Sequence, residues 1–212
     1  MGGYAMSKKI FKLILVLILP TVIILGFIIP WMGFVIFGCM IMSLLLSLYK
    51  GRFWCGNICP RGIFLDIAIS KISFNKKIPK VFKSNILKVI MIIILMTIMG
   101  LNIYLSHGDM KEIGEKLVYI LFATTLLAIL LGVINPRTWC SICPMGYLSG
   151  IIGRRIRPLH IFPHQCIDCN ICAKKCKMNI KPNKYKKYYT ISDTDCIKCG
   201  VCKEVCPKRA IA

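Results

Sequence analysis

Acidic residues are scarce in this chain: 8 Asp and Glu stand against 29 Lys and Arg, for a formal net charge of +21. Such an excess raises the question of nucleic acid, but no basic helix or aromatic nucleic-acid motif accompanies it, so no nucleic-acid partner is expected. Histidine is rarer still, with 3 in 212 residues. His107, His160 and His164 all fall outside the apolar runs, which argues against a haem held by two histidines inside a membrane. His160 and His164 read as linker residues. Nothing matches a dinucleotide fingerprint, a phosphate loop or a catalytic triad, and no catalytic residue is assigned. Charged residues make up only 17% of the chain, against 57% hydrophobic, and the mean hydropathy is +0.69. An ordinary soluble protein is thereby excluded.

Apolar sequence fills the space that charge leaves. The run Ile10 to Tyr49 is about twice the length one bilayer crossing requires, and Pro30, Trp31 and Gly33 interrupt it near the middle. Two spanning helices are predicted, Ile10–Ile29 and Trp31–Tyr49, with Trp31 at the interface of a tight turn. Further spans are predicted over Ile86–Leu105 and Leu117–Ile134. Lys12 and Lys88, near span ends, are expected to snorkel to the headgroups. Lys8 and Lys9 precede the first run, but no small-residue cleavage site follows, so it reads as a retained span. The segment after the second span carries Lys50, Arg52, Arg61, Lys71, Lys76, Lys77, Lys80 and Lys83. In the loop 106–116, Lys111 and Lys116 are offset by Asp109, Glu112 and Glu115. The basic segment and both termini are therefore expected on the cytoplasmic face of the cell membrane.

The 13 cysteines cluster beside lysines, a pattern of metal ligation on a reducing face rather than of disulfides. Eight form two copies of C-x2-C-x2-C-x3-C: Cys166, Cys169, Cys172, Cys176, then Cys196, Cys199, Cys202, Cys206, with Pro207 following. This is the ligand run of a two-cluster ferredoxin, in which the fourth cysteine of each copy ligates the other cluster. One [4Fe-4S] cluster is thus expected on Cys166, Cys169, Cys172 and Cys206, and a second on Cys176, Cys196, Cys199 and Cys202. Lys177 stands where a proline would follow Cys176. Tyr185, Tyr188, Tyr189 and Ile191 are available for a small core. Lys174, Lys175, Lys177, Lys181, Lys184, Lys186 and Lys187 suit both anionic lipid headgroups and an acidic redox partner protein.

A second repeat lies in the membrane half. Arg52-Phe53-Trp54-Cys55 leads to Ile58-Cys59-Pro60-Arg61-Gly62, and Arg137-Thr138-Trp139-Cys140 leads to Ile142-Cys143-Pro144-Met145-Gly146. Each string follows two spans and so emerges on the same face, as a parallel repeat requires. Proline favours the first turn of a helix, which puts Cys59 and Cys143 at helix N-termini, where the dipole favours thiolate. The segments Ile63–Phe74 and Tyr147–Ile156, the latter with Arg154 and Arg155, read as helices lying on the membrane surface. If the halves pack symmetrically, Cys55, Cys59, Cys140 and Cys143 converge. They could then hold an iron–sulfur cluster or a zinc ion, form two redox dithiols, or merely shape the turns. Cys39, alone in the second span, reads as a packing residue.

With paired spans, Cys55–Cys59-Pro60, Cys140–Cys143-Pro144 and a C-terminal two-cluster ferredoxin, the chain resembles the NapH/NosR-type family of membrane-bound ferredoxins. The second motif is one residue shorter than the C-x3-C-P form. The large flavin domain of NosR-type proteins is absent, so the NapH-like architecture is closer. The expected fold is an all-α membrane domain over residues 1–157, two parallel repeats of a helix pair, followed by a small α+β ferredoxin domain over residues 158–212. The resemblance implies an electron-transfer subunit rather than a stand-alone enzyme, passing electrons between cytoplasmic clusters and a membrane redox system. Exchange with quinone is implied by the resemblance alone. An assembly factor that delivers electrons to a partner's metal centre or disulfide is the other expected class.

Overall fold

The computed structural model describes residues 2–154 and 156–212, with side chains from residue 10 onward. Arg155 and the side chains of Lys8 and Lys9 lie outside the described residues. Helix α1 (Gly2–Ile28) and α2 (Val35–Lys50) form the first pair, joined through a 3-10 turn over Pro30–Phe34. Two one-to-two-turn helices follow, α3 (Phe53–Asn57) and α4 (Pro60–Ile67), then a single turn α5 (Lys80–Lys83). The second pair is α6 (Asn85–Leu105) and α7 (Met110–Gly132), followed by α8 (Thr138–Ile142) and α9 (Pro144–Gly153). Among the described residues four segments are long and apolar enough to cross a membrane: Ile10–Ile28, Pro30–Lys50, Asn85–Leu105 and Met110–Gly132. Trp31 is exposed at the turn between the first two.

The last span begins at Met110 rather than at the expected Leu117. Asp109 caps it by accepting from the Lys111 N–H at 2.9 Å, and Glu112 pairs with Lys116 one turn on at 2.7 Å. These local bonds let a polar turn extend an apolar helix. The segments after each cysteine string bury one face against protein and leave Ile72, Phe74, Ile151 and Ile152 exposed. Leu65 and the nearby Ile69 are buried with Ala128, Trp139 and Ile142, while Ser149, Gly150 and Gly153 of α9 are buried. Burying those faces against neighbouring protein removes apolar surface from water.

The C-terminal part is a small α+β unit. β1 (Leu159–His160) pairs antiparallel with β2 (Thr190–Ile191), and Ile161 bridges to Ile211. The one-turn helices α10 (Ile171–Lys174) and α11 (Val201–Glu204) each follow a left-handed residue, Asn170 and Gly200. Ile161, Ile191, Ile211 and Cys172 make the core, with Tyr185 packed on it. Tyr188 and Tyr189, expected in that core, are exposed. His160 is a strand residue rather than a linker, and His164 lies in a 3-10 turn.

Candidate metal centres

The two copies of the ferredoxin run adopt the same backbone. Asp168 and Asn170 have positive φ in the first, and Lys198 and Gly200 in the second; Asn179 and Arg209 then repeat it three residues after Cys176 and Cys206. Left-handed residues in such turns can direct neighbouring N–H groups to one side, a concavity suited to an anion. The Ala210 N–H donates to Cys206 Sγ at 3.3 Å. Cys166, Cys169, Cys172 and Cys206 line one cavity of about 20 Å³. Cys176, Cys196, Cys199 and Cys202 line another of about 30 Å³. Among the described residues no three His, Cys, Asp or Glu side chains gather tightly enough to hold a single metal ion. Thiols ranged around a cavity suit a polynuclear centre, whose irons each take a separate ligand.

The membrane-side cysteines share a third cavity of about 260 Å³, lined by Cys55, Cys59, Cys140 and Cys143 at one end and by the four spans along its length. Cys39 contributes to its wall as well. Pro60 and Pro144 open α4 and α9, with Cys59 and Cys143 as N-caps. Thiolate stabilisation does not follow at Cys59. Burial pushes its thiol up to about 12, nearby Cys55 adds to the rise, and the Gly62 N–H only partly opposes them. Burial also pushes the Cys55 thiol up, Arg52 notwithstanding. Desolvation outweighs a short helix's dipole here.

The arginines of the two strings cross. Arg137 Nη1 donates to the Cys55 carbonyl oxygen at 2.7 Å and lies 3.5 Å from Cys140 Sγ. Arg52 Nη2 donates to the Cys140 carbonyl oxygen. Each guanidinium occupies space that a glycine of the opposite string leaves open: a Cβ on Gly62 would stand 2.8 Å from Arg137 Nη1, and one on Gly146 would strike Arg52. The R-x-W-C and C-P-x-G parts of the repeat are thus complementary across the pair. Both arginines are almost fully buried.

Carboxylates hold the arginines from behind. Asp66 accepts from Arg137 Nε at 2.8 Å and Nη2 at 2.6 Å, and from Lys177 of the ferredoxin unit at 2.6 Å. Burial by itself would raise the Asp66 carboxyl, but Arg137 and then Lys177 hold it below the usual carboxylate range. Asp195 of the ferredoxin unit lies 3.5 Å from Arg52 and accepts from Lys88 at 2.7 Å. Lys88 is 1% exposed. It does not snorkel, because a buried carboxylate at the end of its span offers a better partner than the headgroups.

These pairs seat the ferredoxin unit on the end of the helix bundle. Ile197, between Cys196 and Cys199, is buried in one cluster with Cys55 and Cys140. A Cβ on Gly56 would run into the Ile197 carbonyl. Lys198 Nζ donates to the Gly153 and Arg157 carbonyls at 3.2 and 3.1 Å, at the end of α9 and just beyond it. The second cysteine set therefore lies directly against the membrane-side thiols, while the first lies farther out, with Cys169 exposed. The carboxylates Asp66 and Asp195 were not singled out from sequence, and Lys88 was expected at the headgroups rather than on a carboxylate. The rarity of acids in so basic a chain was the one available signal.

Two family descriptions match parts of the chain. Residues 32–79 and 117–161 each match the family described as a 4Fe-4S binding domain, one match per repeat, and residues 165–211 match a 4Fe-4S dicluster domain. The chain is similar to an uncharacterized protein of Methanocaldococcus jannaschii, 32% identical over 81% of this chain and 68% of the relative. A second uncharacterized protein of that organism is 26% identical over 82% and 76%. The ferredoxin-type protein NapH of Haemophilus influenzae is 25% identical over 81% and 65%. No solved structure matches the chain significantly.

Proposed function

The chain belongs to the NapH-like family of membrane-bound 4Fe-4S ferredoxins and is a membrane iron–sulfur electron-transfer protein, and from that premise we propose which residues carry the electrons and where they go. Cys166, Cys169, Cys172 and Cys206 hold an outer [4Fe-4S] cluster, and Cys176, Cys196, Cys199 and Cys202 an inner one. Cys55, Cys59, Cys140 and Cys143 hold a third iron–sulfur centre between the repeats. When bound, such clusters supply reversible one-electron storage. The observation that carries this reading is the packing of Ile197 against Cys55 and Cys140, which joins the inner ligand set to the membrane-side thiols.

The surrounding residues fit this use. Cys169 opens the outer set to solvent beside the lysines of the 3-10 turn Pro182–Tyr188, where Lys186 donates to the Cys166 carbonyl at 3.1 Å. That surface suits an acidic cytoplasmic donor or acceptor protein. At the other end, the cavity below the four thiols has apolar walls with Arg61, Ser43 and Thr124 among them, which suits the head of a quinone. The excess of cations after the second span supports a cytoplasmic ferredoxin face.

Iron and sulfide content with EPR on anaerobically purified protein tests the ligand assignment. About twelve irons per chain are expected, and about eight would remove the third centre. Reduction of the clusters by menaquinol is expected; its absence in either direction would remove the quinone link but leave the ligand assignment standing.

A further inference from the structure

The crossed arginines have a role that hydrogen bonding to two carbonyls does not exhaust. Arg52, Arg137 and Lys88 are at most 2% exposed. Among the described residues they face only two carboxylates, Asp66 and Asp195, and Asp66 is shared with Lys177. With the four thiols protonated, the end of the bundle would carry more buried positive charge than negative. An uncompensated buried charge is strongly unfavourable. Arg52 Nε is also buried with no acceptor among the described residues, in a guanidinium that borders the thiol-lined cavity. Arg137 Nη1 stands 3.5 Å from Cys140 Sγ. Both excesses, of charge and of donors, call for a negatively charged group at the four sulfurs.

The geometry points to Arg52 and Arg137 as a reciprocal pair of counter-charges for an anionic thiolate-ligated centre, each anchored in one repeat and acting at the other's cysteine turn, so that they raise its reduction potential. This rests on the assignment of an iron–sulfur centre to Cys55, Cys59, Cys140 and Cys143. Adding an electron makes that centre more negative, and a cation held nearby in a low-dielectric setting favours the reduced form. Asp66 and Asp195 act in the opposite sense while holding the guanidiniums in place. The two glycines of the strings are what let the guanidiniums reach across. These arginines are positioning residues: they ligate nothing.

The test is a redox titration followed by EPR on the whole chain, reading the signal that Cys55→Ser and Cys140→Ser abolish. Arg137→Gln should lower the reduced-to-oxidised ratio of that signal at least tenfold at fixed potential, a shift of about 59 mV for one electron. Arg137→Lys, which keeps the charge, should stay near the wild type. Asp66→Asn should shift the ratio the other way, and Arg137→Gln combined with Asp66→Asn should return it toward the wild type. Loss of about four irons in Arg137→Gln, with retention in Arg137→Lys, would equally support the counter-charge role. If both arginine variants lose the centre, Asp66→Asn decides: an unmoved ratio overturns the inference. Twelve irons in every variant with unmoved ratios would also overturn it, leaving the centre itself in place. About eight irons in the wild type would instead overturn the underlying assignment and this inference with it.

Discussion

Lys88, four residues into a membrane span that begins at Asn85, meets Asp195 of the ferredoxin unit at 2.7 Å, and both side chains are withdrawn from solvent. Asp195 directly precedes Cys196, so the contact ties a spanning helix to a proposed cluster ligand. A buried ion pair adds little net stability by itself, yet breaking one is costly because the remaining charge is stranded. The pair therefore specifies where the ferredoxin sits rather than how strongly the chain folds.

Asp195→Asn should leave Lys88 and Arg52 facing each other without their carboxylate. A loss of about 3–5 kcal/mol is expected, seen as a lower unfolding temperature in detergent and faster proteolytic release of the C-terminal unit. Lys88→Met should cost less, since Arg52 still faces Asp195.

Gly146→Ala places a methyl group where the Arg52 guanidinium lies. Displacing it from the Cys140 carbonyl should destabilise the protein by about 1–3 kcal/mol, measured by thermal unfolding. Gly100→Ala, with open space around the added methyl, should change little.

Cys59 in iron-free protein should resist alkylation at pH 8. Burial raises its thiol to about 12, so the neutral form is favoured below that value and the thiolate fraction rises tenfold per pH unit toward it. At pH 8 roughly one thiol in ten thousand is ionised. Mass spectrometry after iodoacetamide treatment at pH 8 and pH 10 reads the difference; rapid labelling at pH 8 would contradict it.

Lys184 and Lys187 are exposed on the turn beside the outer cysteines. Replacing both with Glu should slow electron exchange with an acidic donor protein by about tenfold at low ionic strength, and the difference should shrink in high salt. Stopped-flow rates at two salt concentrations check this.

Much of this protein was legible before any tertiary structure. Hydropathy runs determined the four spans, because a bilayer demands about twenty apolar residues wherever they occur. Cysteine spacing carried the proposal of two ferredoxin ligand sets, since the turns around a cluster are local. The R-x-W-C and C-P-x-G strings revealed the repeat and the helix N-caps at Cys59 and Cys143, again from neighbours in sequence. None of these readings needed a distant partner.

What tertiary structure decided is who pairs with whom across the chain. Arg52 and the Cys140 carbonyl are 88 residues apart, and Lys88 and Asp195 are 107 apart. A lysine near a span end looks the same in sequence whether it meets a headgroup or a buried carboxylate, and only docking brings Asp195 within reach. An arginine and a glycine in one string likewise look like parts of a single turn. Folding shows that each arginine fills the gap left by the other string's glycine. Local sequence determines conformation at short range, whereas the electrostatics of the thiol centre depends on charges that packing alone brings together.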